Sequence, residues 1–225
     1  MLLSPGEWQA VLLTLRLAAV STLILILLGT PLAYWLSRQR GSFGAFIEAL
    51  VALPLVLPPT VLGFYLLLVL APNALPGQLW QTLTGQQLAF SFSALVIGSV
   101  IYSLPFVVQP LQQAFARVPN KLLQAAATLG ATPLAQFRAI TLPLCKRSFI
   151  VASALGFAHT VGEFGVVLMI GGNIPGETQV LSIALYDHVE AMDYGSAHQI
   201  AIGLVAFSLL LLFLLYRDRG WRIGR

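Results

Sequence analysis

The residues that could do chemistry in this chain are few and stand mostly inside apolar surroundings. His159, Thr160 and Glu163 lie at i, i+1 and i+4, with Gly156 three residues before the histidine, so the four share one helix face. At that spacing His159 and Glu163 can hydrogen-bond each other. Glu163 resembles a group that meets a substrate. A carboxylate at low dielectric repels an anion, however, so for an anionic substrate it reads as paired, protonated or structural. Thr60, Ser103 and Thr160 are neutral hydroxyl donors in apolar runs, and Thr60 directly follows Pro58-Pro59. Arg16 is the one cation inside the first apolar run. It is read as snorkelling to the outer surface, the alternative being a cation that lines an entrance for an anion.

Other chemistries lack their residues. His159, His188 and His198 have no metal-ligand spacing, and the single Cys145 can form no internal disulfide. No nucleophile with a nearby base is readable. No G-x-x-x-x-G-K-[ST] stretch occurs. The chain is therefore not expected to hydrolyse ATP or to be an enzyme by itself, and no cofactor or metal is expected on it.

The elements that position these residues are set by hydropathy. The chain has 225 residues, 58% hydrophobic and 9% charged, with a mean hydropathy of +0.86. Soluble domains carry about 25% charged residues, so this is a membrane protein. A membrane-spanning helix needs about 20 mainly apolar residues. Five runs qualify, near 10–36, 46–70, 88–114, 149–170 and 197–216, which predicts an all-α, five-span, multi-pass protein forming one domain over 1–225. A sixth span at 180–195 is excluded by its ionisable side chains. The N-terminus lacks the basic region of a cleaved signal.

Eleven of the twelve Lys and Arg residues fall in 37–45, 115–148 and the tail: Arg38 and Arg40; Arg117, Lys121, Arg138, Lys146 and Arg147; Arg217, Arg219, Arg222 and Arg225. The positive-inside rule then places the N-terminus outside and the C-terminus in the cytoplasm. The positive charge is topological, so a nucleic-acid partner is not expected.

Within the second run, Pro54, Pro58 and Pro59 each remove a backbone donor and predict a kinked or unwound helix. Irregular backbone at membrane depth is tolerated where it lines a cavity, and broken helices often mark a substrate path. The third run holds Tyr102, Ser103, Pro105, Gln109 and Pro110. In the fourth, Ala154, Ala158 and Gly162 form a small-xxx-small series that permits close helix contact. In the connector 171–196, Leu181, Leu185 and Val189 suggest a short amphipathic helix at the outer surface.

The stretch 119–143 is too polar and interrupted to span. Lys121 to Leu129 is rich in helix formers, with Leu122, Ala126 and Leu129 on one face. Gly130 follows as a C′ residue. Thr132 and Pro133 restart a helix as N-cap and first helical position, and Pro143 is expected to end it. Two short helices joined at a fixed angle should therefore stand on the cytoplasmic side.

Gln124-Ala125-Ala126, Gly130 and Ile140-Thr141-Leu142-Pro143 resemble the docking loop of ABC importer permeases, E-A-A, three residues, G, nine residues, I-x-L-P, with Gln124 in place of the glutamate. The run 54–63, the segment Gly162-Glu163-Phe164-Gly165 and the segment 173–178 resemble molybdate permeases. This resemblance covers nearly the whole chain. It implies a prokaryotic inner-membrane permease acting as a homodimer with two ATPase subunits, which carry the ATP and magnesium, and with a periplasmic or extracellular oxyanion-binding protein. It implies docking through Gln124, Ala125, Ala126, Gly130, Ile140, Leu142 and Pro143, and molybdate uptake by alternating access. The pathway candidates are Pro58, Pro59, Thr60, Ser103 and Thr160, with Glu163 the doubtful member. The alternatives are a permease for tungstate or sulfate, or a secondary transporter that needs no ATPase.

Overall fold

The computed structural model describes residues 3–217, and among these every regular element is helical. In chain order they are α1 (Pro5–Leu36), α2 (Ser42–Ala52), α3 (Pro59–Leu70), α4 (Leu75–Thr84), α5 (Phe92–Ala116), α6 (Asn120–Thr128), α7 (Pro133–Gln136), α8 (Leu142–Val161), α9 (Gly165–Gly171), α10 (Leu181–Glu190) and α11 (Tyr194–Arg217). Of the tail cations, Arg217 ends α11, whereas Arg219, Arg222 and Arg225 lie outside the described residues.

Four helical stretches are long and apolar enough to cross a membrane: Pro5–Leu36, Phe92–Ala116, Pro133–Val161 and Tyr194–Arg217. The fifth expected span is a bent pair. Residues Ser42–Leu55 and Pro59–Leu70 meet at 108°. Pro54, Pro58 and Pro59 explain the break, since consecutive donors are missing and Pro59 is accepted only at the start of the new helix. Pro105 and Pro110, by contrast, sit inside a continuous α5.

The fourth span differs from its expected position. The crossing helix is 133–161 and not 149–170, because the chain breaks at Gly162-Glu163-Phe164 and restarts as the short α9. Nor does Pro143 end the second helix of the 119–143 stretch. A π-helical turn, Phe137–Thr141, joins α7 to α8 and lets Pro143 occupy the first turn of α8, where its missing N–H is tolerated. Helix α4 was not anticipated within the connector 71–87, although Pro76 at its start and the left-handed Gly85 at its end are ordinary boundary signals.

α1, α5 and α8 pack together as the central trio, while α9 packs on α3 and α5. Two cores are stacked along α1. One gathers Leu25, Leu36, Val107, Leu111, Phe115 and Ala152. The other gathers Leu17, Leu66, Leu95, Val166, Ile170 and Ile183. At the end of the first core, edge-to-face aromatic contacts tie Tyr34 to Phe115 and Phe137, which brings the ends of α1 and α5 to the π turn. The cations of 37–45 and 115–148 therefore share one end of the molecule. At the opposite end the Leu181 N–H donates to Thr14 Oγ1 at 2.8 Å, and His188 Nε2 lies 3.1 Å from Glu7 Oε1.

Candidate functional site

Two places collect the residues singled out by sequence: the helical turn at 119–143 and the region around the two helix breaks.

At the first, α6 closes in a Schellman motif. The Gly130 N–H donates to the Ala127 carbonyl and the Ala131 N–H to the Ala126 carbonyl, both at 2.9 Å, and Gly130 has φ +84°. Thr132 caps α7 by accepting the Ala135 N–H at 3.3 Å, with Pro133 at the first helical position. Leu123 is buried and anchors α6 to the body. The stripe expected to form the apolar face points away from it: Leu122 is 46% exposed and Leu129 88%. Gln124, Ala125 and Gly130 are exposed and Ala126 is half-buried. Ile140 packs on the core beside Phe137, while Leu142 and Pro143 are exposed. The result is a rigid, angled pair of helices offering small and apolar side chains outward.

At the second, Ser103 of α5 and Thr160 of α8 come together, both buried and bonded to each other. Ser103 Oγ lies 2.8 Å from His159 Nδ1 and 3.1 Å from Thr160 Oγ1, and the Thr160 hydroxyl donates to the Gly156 carbonyl at 3.0 Å. One assignment satisfies all three contacts: His159 Nδ1–H donates to Ser103, Ser103 to Thr160, and Thr160 to the backbone. The imidazole also stacks on Phe106 at 4.0 Å between centroids and faces Tyr102 at 4.8 Å. His159 thus bonds Ser103, not Glu163. The small residues that bring α8 close are Ala152, Gly156 and Thr160, all buried. The Ala154, Ala158, Gly162 stripe expected there is half-buried to exposed.

Removing the Ser103 hydroxyl orphans the His159 N–H. Ser103→Ala should cost about 1 kcal/mol, the scale of an interhelical hydrogen bond plus a stranded donor. Thermal unfolding in detergent reads this directly. An unchanged midpoint would show that the network adds nothing.

Glu163 sits in the break after α8 and is 4% exposed. Ser99 interacts with it, yet neither the carboxylate oxygens nor the Ser99 hydroxyl has a hydrogen bond of good geometry. Its backbone carbonyl accepts the Ser182 hydroxyl at 2.5 Å, tying the break to α10. Thr60, Pro58 and the neighbouring Val56 are exposed at the other break, with Val56 at 83%. The two breaks are adjacent. A Cβ on Gly165 would come within 2.8 Å of Pro59, and one on Gly63 within 2.7 Å of Met169 Cβ.

At the opposite end from the cations, Arg16 stacks its guanidinium 4.5 Å over Phe92. It lines a cleft of about 600 Å³ with Gln86, Gln87, Ser91 and Glu177. Sequence reasoning missed the organiser of this face. Asp187 accepts both carboxylate contacts from Asn173 Nδ2 at 2.8 Å and a third from Gln179 Nε2 at 2.9 Å, clamping the loop 172–179 onto α10. Nearby, Ser196 donates to Asp193 at the start of α11 and holds that carboxyl below its ordinary range. Asp187→Ala should speed amide exchange across 173–179 about fivefold, corresponding to roughly 1 kcal/mol for exposed bonds to a charged group. Exchange confined to its wild-type rate would mean the clamp is idle.

A polytopic all-α chain with two adjacent helix breaks, one exposed and one buried, and an angled helix pair held at its cation-rich end is built as a transport permease. Residues 11–217 match the binding-protein-dependent transport system inner membrane components, and the chain belongs to that family. It is 53% identical to the molybdenum transport system permease protein ModB of Azotobacter vinelandii, over 99% of this chain and 98% of that one. It is 36% identical to ModB of Escherichia coli K12 over the full length of both. Its fold is that of a bacterial alginate ABC transporter, solved in complex with an alginate pentasaccharide-bound periplasmic protein. The TM-score there is 0.75 at 16% identity, over 99% of this chain and 81% of the other.

Proposed function

We propose that this permease moves molybdate into the cytoplasm as the membrane subunit of an ATP-driven importer. The observation that carries the substrate is the near-full-length identity of 53% to a molybdenum transport permease. The proposed assembly is a homodimer with its pathway on the two-fold axis, two ATPase subunits and an external binding protein. The Lys and Arg bias puts the cation-rich end in the cytoplasm, where Gln124, Ala125, Ala126, Gly130, Ile140, Leu142 and Pro143 form the surface that the ATPase grips. ATP and magnesium reside on that partner.

The pathway passes the exposed break at Pro58, Pro59 and Thr60. Ser103 and Thr160 act behind it, positioning α5 against α8, and Glu163 fixes the second break without meeting the anion. Neutral donors pass an oxyanion without trapping it, since conduction needs weak binding. Selectivity then lies chiefly in the binding protein.

The substrate is tested by competition in the reconstituted importer. Labelled molybdate uptake should be suppressed by excess tungstate and unaffected by sulfate. Uptake of labelled sulfate, with molybdate excluded, would overturn the substrate and keep the architecture.

A further inference from the structure

A groove runs along one face of α5 from the proline break to the cation-rich end. Its inner part, about 250 Å³, is lined by Leu55 of the break together with Phe106, Gln109, Gln113 and Leu155. Its outer part, about 410 Å³, shares Pro110, Gln113 and Leu155 and opens between α5, α8 and α11 onto Arg117, Arg147 and Ser148. Gln109, Gln113 and Arg117 follow each other at four-residue spacing, so one helix face supplies amide, amide and guanidinium in line. Among the described residues the lining contains no carboxylate. Among the described residues neither arginine takes part in an ion pair.

We propose that Arg117 and Arg147 form a binding site for a tetrahedral oxyanion at the cation-rich mouth of this groove. A guanidinium offers paired N–H donors that match such an ion. Ser148 and Gln113 add neutral donors. Two sources supply this chemistry. One is the transported ion leaving through the groove, which rests on the permease reading above. The other is the phosphate of an anionic phospholipid, because basic pockets between membrane helices take such headgroups. In the first case the site draws the ion from the proline break toward the exit, and its exposure keeps the hold weak enough for release.

The test uses the full wild-type chain in nanodiscs and reads phenylglyoxal modification of each arginine by peptide mass spectrometry. In phosphatidylcholine discs, molybdate at about twice its dissociation constant should slow modification of Arg117 and Arg147 about threefold, following simple mass action. Arg138, exposed on the docking turn, should be unaffected, as should all sites with chloride at equal ionic strength. Discs containing phosphatidylglycerol and no free ion form the second arm. Protection by molybdate assigns the site to the transported ion, and protection by phosphatidylglycerol alone assigns it to lipid. Either supports the site. Gln113→Glu, which places a carboxylate in the groove, should abolish whichever protection is seen. Unaltered rates at both arginines in both arms would overturn the proposal. Since no uptake is measured, failure of molybdate transport would bear on the proposed function and leave this result standing.

Discussion

Gly130→Val is expected to reduce ATP-dependent uptake at least tenfold while the chain still inserts and folds. Gly130 has φ +84°, and a Cβ placed there would meet nothing within 4 Å. The penalty is therefore one of backbone conformation alone. For an ordinary L-residue the left-handed region costs about 1–2 kcal/mol, and for a β-branched one it is a true outlier. The body of the protein, held by α1, α5 and α8, does not depend on this turn. The turn, however, sets the angle between α6 and α7, and α6 presents the exposed face of Leu122, Gln124, Ala125 and Leu129. A misangled pair should lose its grip on the ATPase, and about 1.4 kcal/mol of lost binding is already tenfold. The measurement is uptake alongside co-purification of the ATPase. Gly130→Ala should fall between the two. Wild-type uptake by Gly130→Val would remove the docking role.

Gly63→Leu should have the second large effect, on stability and transport together. The Cβ would stand 2.7 Å from Met169 Cβ and 3.3 Å from the backbone at Val166. A side chain can yield; the backbone of α9 cannot without moving the helix. Overpacking of this kind costs about 1–3 kcal/mol, and here it pushes apart the two short helices that follow the breaks. The unfolding midpoint should drop, and uptake with it. Met169→Gly combined with Gly63→Ala should destabilise less than the sum of the two single changes, because the glycine removes the Cβ that the new methyl meets. Additive effects would show that the clash is not at this pair.

These two positions mark how far the residues disclose the structure. The turn at Gly130 was legible because its signals are local: helix formers, a glycine, then Thr132-Pro133. The second-span break was equally legible, since three prolines within six residues leave a helix no donors. The break at Gly162 to Phe164 was not, because glycine and a lone glutamate are tolerated inside a membrane helix and only the tertiary contacts with α3 and α10 decide against it. Pro143 misled for the opposite reason. A π turn upstream supplies the adjustment that proline needs, and nothing in the local sequence announces it. Ser103 and Thr160 stood out in the sequence only as separate hydroxyls in apolar runs, and nothing local discloses that they satisfy each other and His159. The groove of Gln109, Gln113 and Arg117 did carry a signal, the four-residue spacing of polar groups in an apolar helix.

The most direct test of the account is molybdate uptake into proteoliposomes containing the permease with its ATPase, supplied with binding protein outside and ATP inside. The account predicts accumulation that requires all three and stops when ATP or the ATPase is omitted. Accumulation that persists without the ATPase would contradict it and make the chain a transporter of another kind.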